Sequence, residues 1–210
     1  MTGFPSQPVA PATFVERYLA SRLAAARLPE GLCEIELSLG IKLTGSEGGE
    51  WVISLAGGAA SLRAGRRSAT ALSLIQSVAD FRGALWEPRG EALRARISAQ
   101  LPLALLGAAS GAPDPDPARV RRALAQLADL DALLRLRITA DAAPDWTLDL
   151  RLGPGALPAE PASTLCLPLD AAEALAAGRL RPLDALRRIQ VDGDYGLLLA
   201  AFGALRSATG

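Results

Sequence analysis

Few side chains in this sequence could carry chemistry. The chain contains no histidine, which removes the commonest general base, the Ser-His and Cys-His pairings, and most zinc or iron sites. Its two cysteines, Cys33 and Cys166, are each flanked by strand-like residues. They read as small buried hydrophobes and not as a disulfide or a reactive pair. The stretch "VDGDYG" at residues 191–196 offers two carboxylates, but no glutamate follows at calcium-loop spacing, so a strand-to-helix turn is expected. "LAGGAASLRAG" at residues 55–65 is rich in glycine but lacks the Gly-Lys-Ser/Thr of a phosphate cradle, and reads as a tight hairpin. Catalysis, a metal and a cofactor are therefore not expected, and the protein is read as no enzyme.

Composition narrows the partners. Lysine plus arginine and aspartate plus glutamate number 22 each, so there is no basic excess to attract nucleic acid. Half of the residues are hydrophobic, yet no uncharged apolar run approaches the roughly 20 residues a transmembrane segment needs. The opening "MTGFPSQPVAPAT" has neither a basic n-region nor an apolar h-region. A cytoplasmic location is the expectation.

The elements that would position any site are written twice. Residues 51–85 align with residues 146–180 at a constant shift of 95, with eleven identities that include Trp51/Trp146, Gly58/Gly153 and Gly83/Gly178. This predicts a tandem duplication. Each copy opens with a helix: Thr13 as cap with Glu16 at the capping-box spacing in the first, Asp116 as cap followed by Pro117 in the second. Alternating strands follow, and in the second copy Trp146, Leu148, Leu150 and Leu152 alternate with Thr147, Asp149 and Arg151, one face covered and one wet. Pro158 and Pro161 interrupt the third strand of the second copy. "DAAEALAAG" predicts a helix with Asp170 as cap, Glu173 at the capping-box position and Gly178 as the stop, and "SVADFRG" is its shorter partner. The fold class expected is α+β: two tandem domains, each an antiparallel sheet of about five strands with helices packed on one face. Residues 1–12 are expected as a disordered tail, 13–110 as the first domain, 111–116 as a linker and 117–210 as the second domain.

From "DWTLDLRLGPG" through "LCLPLDAAEALAAGRLRPLDALRRIQVDGDYGLLLAAFGAL", the second half resembles the sterol carrier protein 2 (SCP2) family. The resemblance rests on the tryptophan strand, the helix, the turn Gly178-Arg179-Leu180-Arg181-Pro182, a short helix, a strand ending at Gly193-Asp194, and a terminal apolar helix. The first half looks like a diverged copy that keeps "ADFRGALW" and "EALRARI" but carries "SAQLPLALLGAA" without the Gly-Asp turn. The resemblance implies a hydrophobic tunnel between sheet and helices for a lipid, acyl chain, sterol, or isoprenoid or quinone intermediate. Lipid-binding positions would be Trp146, Leu148 and Leu150 on one strand, Leu167 and Leu169 at the next strand and helix, and Leu175, Leu180, Leu186 and Ile189 beyond. Leu197, Leu198, Ala201 and Phe202 would form a lid on the last helix. Burying a methylene gains on the order of 0.8 kcal/mol, so eight could supply about 6 kcal/mol before ordering costs. The alternative expectation is an assembly module with filled tunnels, whose partner is an enzyme or a second copy of the chain.

Overall fold

A computed structural model describes residues 4–25, 33–65, 70–87, 91, 116–141, 143–181, 184–185 and 187–209. Helix α1 combines Pro11–Thr13, a π-helical stretch Phe14–Leu19 and Ala20–Ala25. Strands β1 (Leu37–Thr44), β2 (Gly49–Ala56), β3 (Ala59–Ala64) and β4 (Leu72–Ser77) follow, then α2 (Val78–Trp86). The second half supplies α3 (Pro117–Asp129), β5 (Leu133–Thr139), β6 (Trp146–Leu152), β7 (Ser163–Pro168), α4 (Leu169–Ala176), β8 (Gln190–Gly193) and α5 (Tyr195–Thr209).

All eight strands join one sheet in the order β3-β2-β1-β4-β6-β5-β7-β8. This corrects the expectation of a separate sheet of about five strands in each half, and of purely antiparallel pairing. In each half an antiparallel hairpin is followed by a strand parallel to its first member: β1 with β2 and then β4, β5 with β6 and then β7. The halves meet where β4 runs antiparallel to β6, from Leu72 opposite Leu152 to Ile75 opposite Asp149. The side of β6 that β3 covers on β2 is taken by β4, because among the described residues no third strand forms between β6 and β7. The interruption at Pro158 and Pro161 explains this, since proline cannot donate to a ladder.

The shift of 95 survives in the sheet only in part. Lys42–Glu50 (3.1 Å) and Arg137–Asp145 (3.9 Å) are ion pairs between residues related by the shift, although Lys42 stands directly opposite Glu50 and Arg137 opposite Thr147. Further on, Leu39 stands opposite Leu72 but Leu134 stands opposite Ser163, so the second half reaches its parallel strand in four fewer residues. The ungapped alignment of Leu72 with Leu167 is therefore not a structural equivalence.

Register and period-2 alternation place Leu39, Ile53, Leu72, Leu152, Leu134 and Leu165 on one face. Helix residues Phe14, Leu19, Leu127 and Leu198 pack on that face. The other face carries cross-strand pairs such as Arg135 with Asp149 at 2.7 Å.

Local signals were met unevenly. Asp116 caps α3 by accepting from Ala118 N at 2.9 Å, and Ser77 caps α2 by accepting from Asp80 N at 2.9 Å. Helix α1 starts at Pro11, two residues before Thr13, and Glu16 accepts from Trp51 Nε1 at 2.9 Å instead of closing a capping box. Pro168, not Asp170, holds the N-cap position of α4. Within the stretch expected as a disordered tail, Phe4 and Val9 of the described residues pack against the core. Phe4 meets Phe14, Tyr18 and Trp86, and Trp86 Nε1 donates to Pro5 O at 2.9 Å. Residues 88–90 and 92–115, which include most of "EALRARI", "SAQLPLALLGAA" and the expected linker, lie outside the described residues.

Candidate functional site: a leucine floor under the last helix

The helix-bearing face of the second half carries a run of strand leucines that are only partly buried. Between β4 and β7 it presents Leu74, Leu148, Leu150, Leu136 and Leu165, and every one is only half-buried. Two packed clusters bound this floor. At one end Leu134 and Leu152 meet Leu127 of α3 and Leu198, Ala201 and Ala204 of α5, with Leu150, Leu165 and Leu197 against them. At the other, Leu167 meets Ala171 and Ala172 of α4, with Leu136, Ile138, Leu180 and Ile189 alongside. Alanines at the helix contacts bring α4 and α5 close to the sheet without filling the space beside them.

The turn that aims α5 is the "VDGDYG" stretch. Gly193 has φ +103°, and a Cβ there would stand 2.3 Å from Ala162 O, so only glycine fits. Asp194 then caps α5, its Oδ1 accepting from Leu197 N at 3.0 Å, while Ser163 Oγ donates to Asp194 O at 2.8 Å. The Asp194 carboxylate thus serves a strand-to-helix turn, as the spacing predicts. The "LAGGAASLRAG" stretch is likewise the β2–β3 hairpin, with Gly57 and Gly58 at φ +56° and +77° as a primed two-residue turn requires.

Of the predicted lining residues, the structure sets Leu150, Leu197, Leu198 and Ala201 in one cluster and Leu167, Leu180 and Ile189 in the other. Leu148 lies on the floor between them, opposite Leu136. Trp146 is buried at the β6 edge of the floor, against the other half: a Cβ on Gly83 of α2 would stand 2.4 Å from its Nε1. Leu169 and Leu175 are half-buried on α4 and belong to neither cluster. Phe202 turns outward, 45% exposed, on the same side of α5 as Tyr195 at 60% and Leu199 at 70%. Its place in the predicted lid is not supported by that orientation. Leu186 lies outside the described residues.

The sequence reading missed Arg151. Alternation places it on the wet face with Thr147 and Asp149, yet it is 1% exposed. Its guanidinium donates to Ala156 O at 3.1 Å, to Ala132 O at 3.2 Å, and to Leu152 O and Asp131 Oδ1. Each of its three nitrogens thus has an acceptor, and a buried guanidinium is tolerated where it is hydrogen-bonded in this way. Elsewhere around the site, the Asp170 carboxyl of α4 is held below its ordinary range by hydrogen bonds from Arg188 (2.8 and 3.0 Å). The Arg135 guanidinium is pushed up by its hydrogen bonds with Asp149. Cys33 and Cys166 are half-buried and are not joined in a disulfide. Glu173 Oε1 on α4 is buried without a hydrogen-bond partner among the described residues. No described helix is long and apolar enough to cross a membrane.

No family model matches this chain, and no curated protein matches it. Among solved structures, Sterol Carrier Protein 2 from Yarrowia lipolytica in its apo form is similar at 17% identity and a TM-score of 0.29, covering 45% of this chain and 82% of that one.

Proposed function

We propose that this protein is a non-enzymatic binder or carrier of a hydrophobic small molecule, built from two diverged SCP2-like units. The ligand lies on the leucine floor of the second half, beneath α4 and α5. One observation carries this reading: Leu74, Leu148, Leu150, Leu136 and Leu165 form a continuous apolar surface of side chains that are only partly buried. A continuous apolar surface that is only partly buried is a candidate binding surface for a hydrophobic ligand. Covering it with an acyl, sterol or isoprenoid body gains on the order of 25 cal/mol per Å².

Native mass spectrometry of protein purified without detergent is the test. The expected spectrum contains a bound hydrophobic molecule, and Leu148→Lys is expected to abolish it while leaving the fold intact. A clean unliganded mass, with no rise in melting temperature on adding acyl or isoprenoid ligands, overturns the reading, because any ligand specific to the folded state must raise that temperature.

A second reading, an assembly module, draws on the outward stripe of α5. Tyr195, Leu199 and Phe202 follow helical spacing and are exposed together. A partner enzyme or a second copy of the chain would cover them. Sedimentation of the wild type and of Leu199→Glu decides: a complex or dimer lost in the variant favours assembly, and identical monomers remove it.

A further inference from the structure

We infer a second binding cleft, at the junction of the two halves, shaped for an amphiphile with an apolar chain and a head that donates hydrogen bonds. A cleft of about 520 Å³ opens between the start of β1, the end of β2 and helix α3. That volume lies within the range of small-molecule pockets, roughly 300–1,000 Å³. Leu37 and Leu55, directly paired across the two strands, form its apolar side with Leu124, Ala125 and Ala128 of α3.

The next pair in register, Ser38 with Ser54, points to the opposite face, and alternation puts Glu36 on that same side. The cleft therefore wraps the end of the sheet, greasy on one side and rich in acceptors on the other. A carboxylate only accepts hydrogen bonds and a serine hydroxyl can accept them, so an ammonium or hydroxyl head is matched. A carboxylate head would meet the like charge of Glu36. The α3 wall is fixed in place from the first half: Arg121 Nη2 donates to Glu34 O at 2.7 Å and lies 3.7 Å from the Glu34 carboxylate. None of the leucines of the second-half floor lines this cleft, so the inference is independent of the proposal above.

Alanine-methyl NMR of the whole chain tests it, with octylamine, octanol and octanoate as probes. Octylamine or octanol is expected to shift the methyls of Ala56, Ala71, Ala125 and Ala128, which line the cleft, and to leave Ala171, Ala172, Ala201 and Ala204 unmoved. The two arms tell an ammonium head from a hydroxyl head, and octanoate is expected to bind at least threefold more weakly than the better of them. Glu36→Gln should weaken octylamine at least threefold without changing octanol, and Ala125→Trp should remove both sets of shifts. Shifts absent from the cleft methyls, shifts confined to the second-half alanines, or equal binding of octanoate overturns the inference. The wild-type map alone decides if either variant fails to fold.

Discussion

The same sheet face is closed with aromatic rings in the first half and with alanine in the second. Over β1 and β2, Phe4, Phe14, Tyr18, Phe81 and Trp86 form one connected ring cluster, with Phe14 5.0 Å from Tyr18 and 5.4 Å from Phe81. Over β5 to β7 the helices contribute Ala171, Ala172, Ala201 and Ala204, and the two aromatics of α5 face away from the core. An aromatic side chain buries about 150–250 Å², so five of them contribute far more apolar contact than the same number of alanines. The lesson is that one strand pattern can be covered by rings in one half and by small side chains in the other, and that the choice is made by the residues of the covering helices.

Phe14→Ala should break the aromatic half most severely. Phe14 is 2% exposed and touches four other rings, so its removal is expected to cost about 4 kcal/mol of unfolding free energy. The same truncation on the second half, Leu148→Ala, is expected to cost about 1 kcal/mol or less, since that side chain is already part-solvated. Urea unfolding of both variants checks the contrast. Equal losses would mean that the leucine floor is core and not a surface awaiting a ligand.

The hairpin ends differ as well. After β2 the chain turns tightly at Gly57-Gly58 and continues as β3, leaving Ala56 exposed. After β6 no such strand follows, and Arg151, at the position matching Ala56 by the shift of 95, ties Ala132, Leu152 and Ala156 together through its guanidinium. Arg151→Met removes these bonds and strands buried carbonyls, with an expected loss of about 3 kcal/mol. A loss below about 1 kcal/mol, measured by the same unfolding experiment, would show that the loop hydrates freely and needs no pin.

The difference between the halves also marks what could be read in advance. The Asp116 cap, the Gly-Gly hairpin and the Gly-Asp turn are local, set by backbone demands within a few residues, and the sequence shows them directly. The single sheet is not local. Whether β6 pairs with β4 or with a strand of its own half depends on edges left open far away in sequence, and alternation is identical in either case. Arg151 was hidden for the same reason: its neighbour Asp149 obeys the same alternation and is part-solvated, and only the missing third strand separates the two. On the site, the strand leucines were legible from period-2 spacing. Phe202 was not, because an apolar helix as uniform as α5 does not reveal which stripe it buries.

Gly193→Ala should have a smaller effect, confined to the half that has the turn. The φ of +103° disfavours any side chain, and the new Cβ would meet Ala162 O. An expected cost of about 2 kcal/mol follows from backbone strain. Amide exchange sharpens the comparison: faster exchange in α5, with unchanged protection in β1 and β2, would show that the last helix can loosen while the aromatic half stays folded.

The smallest effect distinguishes the exposed ion pairs that fasten one helix in each half. Hydrogen bonds from Arg82 hold the Glu47 carboxyl below its ordinary 4.5, and those from Arg188 hold Asp170 below its ordinary 3.8. A carboxyl whose folded pKa is lowered contributes stability that is present in full above its unfolded pKa and lost as pH falls through the folded one. Arg82→Gln and Arg188→Gln should therefore lower the urea midpoint slightly at pH 7, and less again in high salt, because exposed pairs are screened. On acidification each difference should shrink, beginning below about 4.5 for the first pair and below about 3.8 for the second. The two variants then report on different covers, α2 over the aromatic core and α4 over the leucine floor. If Arg188→Gln alone also weakens retention of a hydrophobic ligand at neutral pH, the α4 fastening belongs to the second half's binding surface. If its deficit persists undiminished below the titration of Asp170, Arg188 acts through packing of its stem and not through the ion pair.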